Sequence, residues 1–287
     1  MSSTSPPPAD SNSIIHNPTS EGITIITINR PHVRNAINAA AALSLASAFR
    51  SFDADLTQKV CVLTGAGGNF CAGYDLHELA TAQDGDGGGG PPSRPVGSTN
   101  PADDATAPMG PSRMLLSKPV VAAVAGHAVA GGLELALLAD VRVVDETAVF
   151  GVFCRRFGVP LVDGGTVRLP KVVGLGRAMD MILSGRPVAA KEALDIGLAN
   201  RVVERGTALE GAMVFARGLL EFPQMCMRAD RRSAYYGVFE AGSLEDALRF
   251  EYEHGEKVIV EESIKGAARF DKGEGRSGVF RSEKGKL

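Results

Sequence analysis

Lys118 to Asp140 reads KPVVAAVAGHAVAGGLELALLAD, and the changes of pattern inside it decide the fold. Pro119 to Ala125 is a short, valine-rich apolar run closed by a glycine, which reads as a buried strand. The chain then turns, and Gly131 opens a helix to about Ala139 that is apolar on nearly every side, the mark of a buried helix. Val141 to Val144 supplies the next strand. The first amides of a helix have no internal partner and carry the positive end of its dipole, so this glycine turn is suited to an oxyanion. Glu134 lies three residues beyond Gly131, on the same face. A first-turn glutamate is ordinarily a solvated partner of the dipole. Among Leu133, Leu135, Ala136, Leu137 and Leu138 a carboxylate is costly to bury, and its presence points to function.

The same order of strand, glycine turn and helix recurs upstream. Ile23 to Asn29 (ITIITIN) reads as a strand, Asn38 caps a helix running to about Phe52, and Val60 to Thr64 (VCVLT) is another strand. GAGGNFCAG, Gly65 to Gly73, leads from that strand into a helix from about Tyr74 to Ala80. Repetition of this unit indicates an α/β domain whose turns gather at one edge of the sheets, where ligands bind. Residues 83–108 collapse into Gly, Pro, Ser, Asp and Thr, including Gly87 to Gly90, and are expected to form a mobile insertion. Windows 207–221, 224–236 and 243–259 are helix-like with no strands. The expected organisation is a disordered tail (1–20), a core (21–206) and a C-terminal helical region (207–287).

Thirty basic and 33 acidic residues leave a net charge of −3 over 287 residues, which provides no field toward nucleic acid or anionic lipid. No apolar run approaches the roughly 20 residues needed to span a bilayer. The first dozen residues lack the basic and apolar regions of a signal peptide, so an intracellular protein, cytoplasmic or in an organellar matrix, is expected. The final Gly285-Lys286-Leu287 weakly resembles a peroxisomal address. Cys61, Cys71, Cys154 and Cys226 show no metal-binding spacing, so neither a metal site nor a disulfide is expected.

The sequence resembles the crotonase (enoyl-CoA hydratase/isomerase) superfamily. The resemblance is carried by RPHVRNAIN (Arg30 to Asn38), NFCAGYDLHEL (Asn69 to Leu79), the segment Lys118 to Asp140, GGTVRLPKVVG (Gly164 to Gly174) and AKEALDIGLANRVV (Ala190 to Val203). It spans roughly residues 20 to 270 and implies an α/β fold, a ββα spiral core with a C-terminal α-helical trimerisation region. It further implies a homotrimer or dimer of trimers and an acyl-CoA substrate, with no cofactor beyond the coenzyme A of the thioester. Two backbone amides, matched here to Tyr74 and Gly131, would stabilise the enolate oxygen. Substrate and CoA contacts would come from Ala36, Ala72, Tyr74, Asp75, Leu76, His77 and Gly131.

Hydratases of this family use two glutamates, one activating water and one handling the Cα proton. Glu134 matches the first. The second position holds Cys154, whose thiol, with an ordinary pKa of about 8.5, is a poor general acid; a small packing residue is the simpler reading. Nine residues on, Asp163 is either a replacement acid/base or the N-cap of the helix near Gly164. Arg155 and Arg156 either pair with Asp163, Glu134 or an acidic substrate, or form a structural salt bridge. His127 reads as a packing residue, and His77 as a neighbour of the pantetheine or adenine end of CoA. Arg30, Arg34 and the basic residues of the helical tail are candidates for the CoA phosphates. The leading function is hydration of a 2-enoyl-CoA. The alternatives are a double-bond isomerase using Glu134 alone and a non-catalytic CoA-binding scaffold.

Overall fold

The computed structural model describes residues 12–81 and 107–273. Its first strand, β1 (Ile14–Pro18), runs antiparallel to β2 (Ile23–Ile28). This corrects the expectation of a disordered tail through residue 20. The strand lies at a sheet edge and is largely exposed, so it lacks the apolar alternation by which a half-buried strand is recognised. After it come α1 (Ala39–Ala54), β3 (Val60–Gly65), α2 (Leu76–Thr81), β4 (Val120–Val124), β5 (His127–Val129) and α3 (Gly131–Leu138). The core continues through β6 (Val141–Asp145), β7 (Val149–Gly151), α4 (Gly165–Val173), α5 (Leu175–Ser184), β8 (Val188–Ala189), α6 (Ala190–Asp195) and β9 (Arg201–Val203). Asn38 caps α1 as anticipated, its side chain accepting the Ala41 amide at 2.9 Å.

Strands β2, β3, β4, β6 and β9 are parallel neighbours in a six-stranded sheet with β1 on its edge; β5, β7 and β8 form a second sheet. The chain alternates between the two. It passes through the large sheet in β4, the small one in β5 and then α3, and afterwards through β6 and β7 in the same order. This is the ββα spiral the resemblance implies. Strands buried on both faces read as continuous apolar runs, which is why VVAAV of β4 has no exposed residue. One side of the large sheet packs Leu45, Phe49 and Phe52 of α1 with Leu133 of α3. The other side is covered by α7 (Ala208–Leu220), whose Ala208, Ala212, Met213 and Ala216 lie over Val60, Val62, Val121 and Val143.

Helix α7 thus belongs to the core, and the boundary read at 206/207 falls one helix too early. Beyond it stand α8 (Gln224–Phe239), α9 (Leu244–Val258) and α10 (Ile264–Asp271), with a π-helical turn, Ile259–Ser263, joining the last two. Among these described residues Val258 is the one buried apolar side chain, while Leu244, Leu248, Ile259, Val260, Ile264 and Phe270 are exposed. Helix α8 is fastened to the core at Asp140, whose Oδ1 accepts from Arg231 Nε and Tyr235 Oη, both at 2.8 Å, and whose Oδ2 accepts the Val120 amide.

The insertion read at 83–108 lies outside the described residues except for Ala107 and Pro108. Ala107, inside the stretch read from composition, is buried and exchanges two backbone hydrogen bonds with Gly110. The terminal Gly285-Lys286-Leu287 also lies outside the described residues. Among the described residues no helix is long and apolar enough to cross a membrane.

Candidate active site

Main-chain bonds join the two glycine turns. The Cys71 amide donates to His127 O at 2.8 Å and the Val129 amide to Cys71 O at 3.1 Å. On the other side of the first turn, the Ile37 amide donates to Gly73 O at 2.8 Å and the Asp75 amide to Ile37 O at 2.9 Å. Gly73, at φ +104, approaches α3 so closely that a Cβ there would stand 3.0 Å from Gly131 N. A Cβ on Gly132 would stand 2.0 Å from Cys71 O. Glycine is required at the first place by conformation and at the second by space. Ala130 enters α3 at φ +53 and ψ −124, a costly conformation for alanine of the kind that clusters at functional turns. Tyr74 and Gly131 therefore meet on one cavity, and among the described residues neither of their amides has an acceptor.

That cavity has a volume of about 520 Å³. Leu76, Leu79, Phe153, Phe157 and Val159 supply apolar wall; Glu134, Asp163 and Cys154 are its acidic and thiol groups. Glu134 is 2% exposed, and its Oε1 accepts the amides of Asp163 and Gly165, both at 2.8 Å. Burial pushes its carboxyl up to about 7, with the Asp163 charge adding to the effect and the two amides opposing it. Asp163, equally buried, does not cap α4. Gly164 occupies the N-cap in a left-handed conformation with no side-chain cap, which removes that alternative. The Asp163 Oδ1 instead accepts the Met109 amide at 3.0 Å and the Ser112 hydroxyl. Burial raises the Asp163 carboxyl, against the Ser112 and Met109 donors and the nearby charges of Arg113 and Arg168. Burial and the Glu134 charge push the Cys154 thiol up, so near neutrality it stands in the cavity uncharged.

Of the proposed substrate contacts, Ala72, Tyr74, Leu76 and Gly131 line the cavity. Ala36, Asp75 and His77 do not. The Ala36 carbonyl accepts Arg30 Nη1, Asp75 pairs with Arg30 at 3.2 Å, and the exposed His77 donates its amide to Asp75 Oδ1. Arg30 is accordingly a buried strut and no longer a candidate for the CoA phosphates, whereas Arg34 remains exposed. Arg155 donates to Ile182 O and Arg156 stacks over Phe153, so neither pairs with Glu134 or Asp163; the charges nearest Asp163 are those of Arg168 and Arg113, which donate to main-chain carbonyls. His127 Nδ1 lies 2.9 Å from Asn69 Oδ1 in a structural contact. No sequence pattern singles out Met109, Ser112 or Arg168. Only the Gly110-Pro111 pair, a turn signal after the low-complexity stretch, draws attention to this part of the chain. Among the described residues no cluster of His, Cys, Asp and Glu is arranged to hold a metal.

Residues 18–90 and 112–278 match the family model described as enoyl-CoA hydratase/isomerase. The chain is 33% identical over 252 residues to enoyl-CoA hydratase EchA19 of Mycobacterium tuberculosis, covering 85% of this chain and 88% of that protein. It is 37% identical over 205 residues to carnitinyl-CoA dehydratase of Salmonella arizonae, covering 71% and 73%. The crystal structure of an enoyl-CoA hydratase from Mycobacterium tuberculosis H37Rv superimposes with a TM-score of 0.78 at 31% identity, over 91% of this chain and 96% of that one.

Proposed function

The chain belongs to the enoyl-CoA hydratase/isomerase family, and on that premise we propose that it adds water across the double bond of a 2-enoyl-CoA. One observation carries the proposal: two buried carboxyls from separate elements, Glu134 and Asp163, line a cavity shared with the amides of Tyr74 and Gly131, neither of which has an acceptor among the described residues. Hydration breaks one O–H bond of water, forms C–O at Cβ and C–H at Cα, and passes negative charge to the thioester oxygen between these events. The amides of Tyr74 and Gly131 take that charge, and such a donor is typically worth about 10² to 10³ in rate. Glu134, buried to a pKa of about 7, is poised to give or take a proton near neutrality. Asp163 supplies the second carboxyl, in place of the residue the family pattern would put at Cys154. The apolar walls suit an acyl chain, and coenzyme A enters as part of the substrate. Relatives named as hydratases and as a dehydratase, the same addition in its two directions, support the reading.

Mass spectrometry of purified protein incubated with 2-enoyl-CoA thioesters tests it, with a gain of one water as the expected product. Cys154 favours the isomerase alternative, since moving a double bond needs only Glu134. Conversion of a 3-enoyl-CoA at unchanged mass, with no hydration, would establish that alternative instead, and absence of any turnover would leave a CoA-binding scaffold. We further propose a homotrimer or dimer of trimers, supported by the exposed apolar residues of α9 and α10. A monomer in light scattering at micromolar concentration would contradict it.

A further inference from the structure

Ser112 is fully buried in a single 3₁₀ turn, Pro111–Arg113, and has no part in the hydration as proposed so far. Its hydroxyl donates to Asp163 Oδ1, the oxygen that also accepts the Met109 amide. An oxygen receiving an O–H and an N–H together is not the one that carries a proton. A proton on Asp163 would have to sit on Oδ2, which has no hydrogen-bond partner among the described residues. Ser112 is itself held in place, because its carbonyl accepts Arg168 Nη1 at 2.6 Å, and the same nitrogen reaches Asp163 O at 3.3 Å. Gly110, at φ +78, presses the segment against α1, where a Cβ would stand 2.7 Å from Ala42 O.

We propose that Ser112 is a positioning residue of the reaction, keeping Asp163 ionised with Oδ2 free, so that Asp163 takes the proton of the attacking water and Glu134 delivers one to Cα. The proposal rests on the two-carboxyl hydration above. In the step, a water O–H bond breaks toward Asp163 Oδ2 as its oxygen bonds Cβ, and the Glu134 O–H bond breaks toward Cα. Exchange with solvent then removes the proton from Asp163 and returns one to Glu134. The family resemblance places water activation on Glu134; the surroundings of the two acids divide the work the other way. Asp163 faces Glu134 from α3, Arg168 from α4, Arg113 and Ser112 from the 3₁₀ turn, and the Met109 amide. Glu134 faces the Asp163 and Arg168 charges and the neutral Cys154 thiol. Burial raises both carboxyls; at Asp163 two donors and two cations oppose it, whereas at Glu134 the Asp163 charge adds to it against two amides and the Arg168 charge, so Asp163 is the better placed of the two to stay ionised.

The test compares Ser112→Ala, Ser112→Thr and Asp163→Asn in the full chain, following kcat and KM on a 2-enoyl-CoA from about pH 5 to 9, with thermal melts alongside. Losing the hydroxyl raises the Asp163 pKa. Ser112→Ala should therefore move the acid limb of the profile up by about one pH unit. Turnover at the acid end falls roughly tenfold, returns at higher pH, and leaves KM little changed. Ser112→Thr keeps the wild-type limb, and Asp163→Asn loses hydration at every pH. An unmoved limb in Ser112→Ala with an inactive Asp163→Asn overturns the role of Ser112 alone. An active Asp163→Asn overturns the two-carboxyl hydration itself. Should alanine prevent folding, Ser112→Val against Ser112→Thr makes the same comparison at matched size: a raised acid limb in the valine variant supports the role of Ser112, and an unmoved one overturns it.

Discussion

The main-chain amide of Asp163 donates to Glu134 Oε1 at 2.8 Å, so the backbone of one buried acid orients the side chain of the other. The Gly165 amide donates to the same oxygen, and both donors sit at the entry to α4. Glu134 is therefore held from outside its own helix, with Oε2 left for the cavity. Because the donor is the peptide of Asp163 and not its carboxyl, changing that side chain leaves the support of Glu134 in place.

Glu134→Gln keeps an oxygen for both amides and removes the proton chemistry. Turnover on the best 2-enoyl-CoA should fall by about 10² to 10⁴, with CoA binding, measured by calorimetry, unchanged. Near-normal turnover would remove Glu134 from the mechanism.

The same substitution has a pH-dependent effect on stability. Burial raises Glu134 from 4.5 to about 7 in the folded chain. Its favourable contribution is complete below about pH 4.5, where both states are protonated, and is lost as pH rises through about 7, where folding must bury a charge. Relative to wild type, Glu134→Gln should gain stability across that window, on the order of 2 to 3 kcal/mol by about pH 8. Urea denaturation at about pH 5 and 8 measures the change; an equal difference at both would contradict it.

Gly73→Ala places a methyl 3.0 Å from Gly131 N on a backbone at φ +104. Separating the two amides should lower kcat by about 10² or more, with a loss of stability of roughly 1 to 3 kcal/mol for the strained conformation. Unaltered kcat in a folded variant would show that the amide pair does not take the charge.

Cys154→Ala tests the group that stands where a second glutamate would be. The thiol is uncharged near neutrality, so hydration should persist within a few-fold in steady-state assays. A loss of about 10² or more, the size of a general acid's contribution, would restore Cys154 as a proton carrier.

Much of this arrangement is legible in the sequence because it is local. The valine runs of β3 and β4, the cap at Asn38 and the two glycine turns each announce themselves within a few residues. Glu134 stands out because its neighbours are leucines. What the sequence hides depends on partners far along the chain. Arg30 looks available for phosphate until Asp75, 45 positions away, claims it. Asp163 allows two readings because Ser112, which distinguishes them, lies 51 positions upstream just beyond a low-complexity stretch. The edge strand β1 is visible only as pairing to β2, not as a pattern of its own.

The bonds that join Cys71 to His127 and Val129 run between peptide groups, and so do those of Ile37 with Gly73 and Asp75. The spacing of the amide pair is thus a property of the chain path, sensitive to Gly73 and Gly132 but nearly indifferent to which side chains decorate the turns. Tyr74 and its neighbours are free to be exchanged to suit a different acyl group while the anion-binding geometry is inherited intact. Such a scaffold offers laboratory evolution a way to retarget the substrate without rebuilding the chemistry.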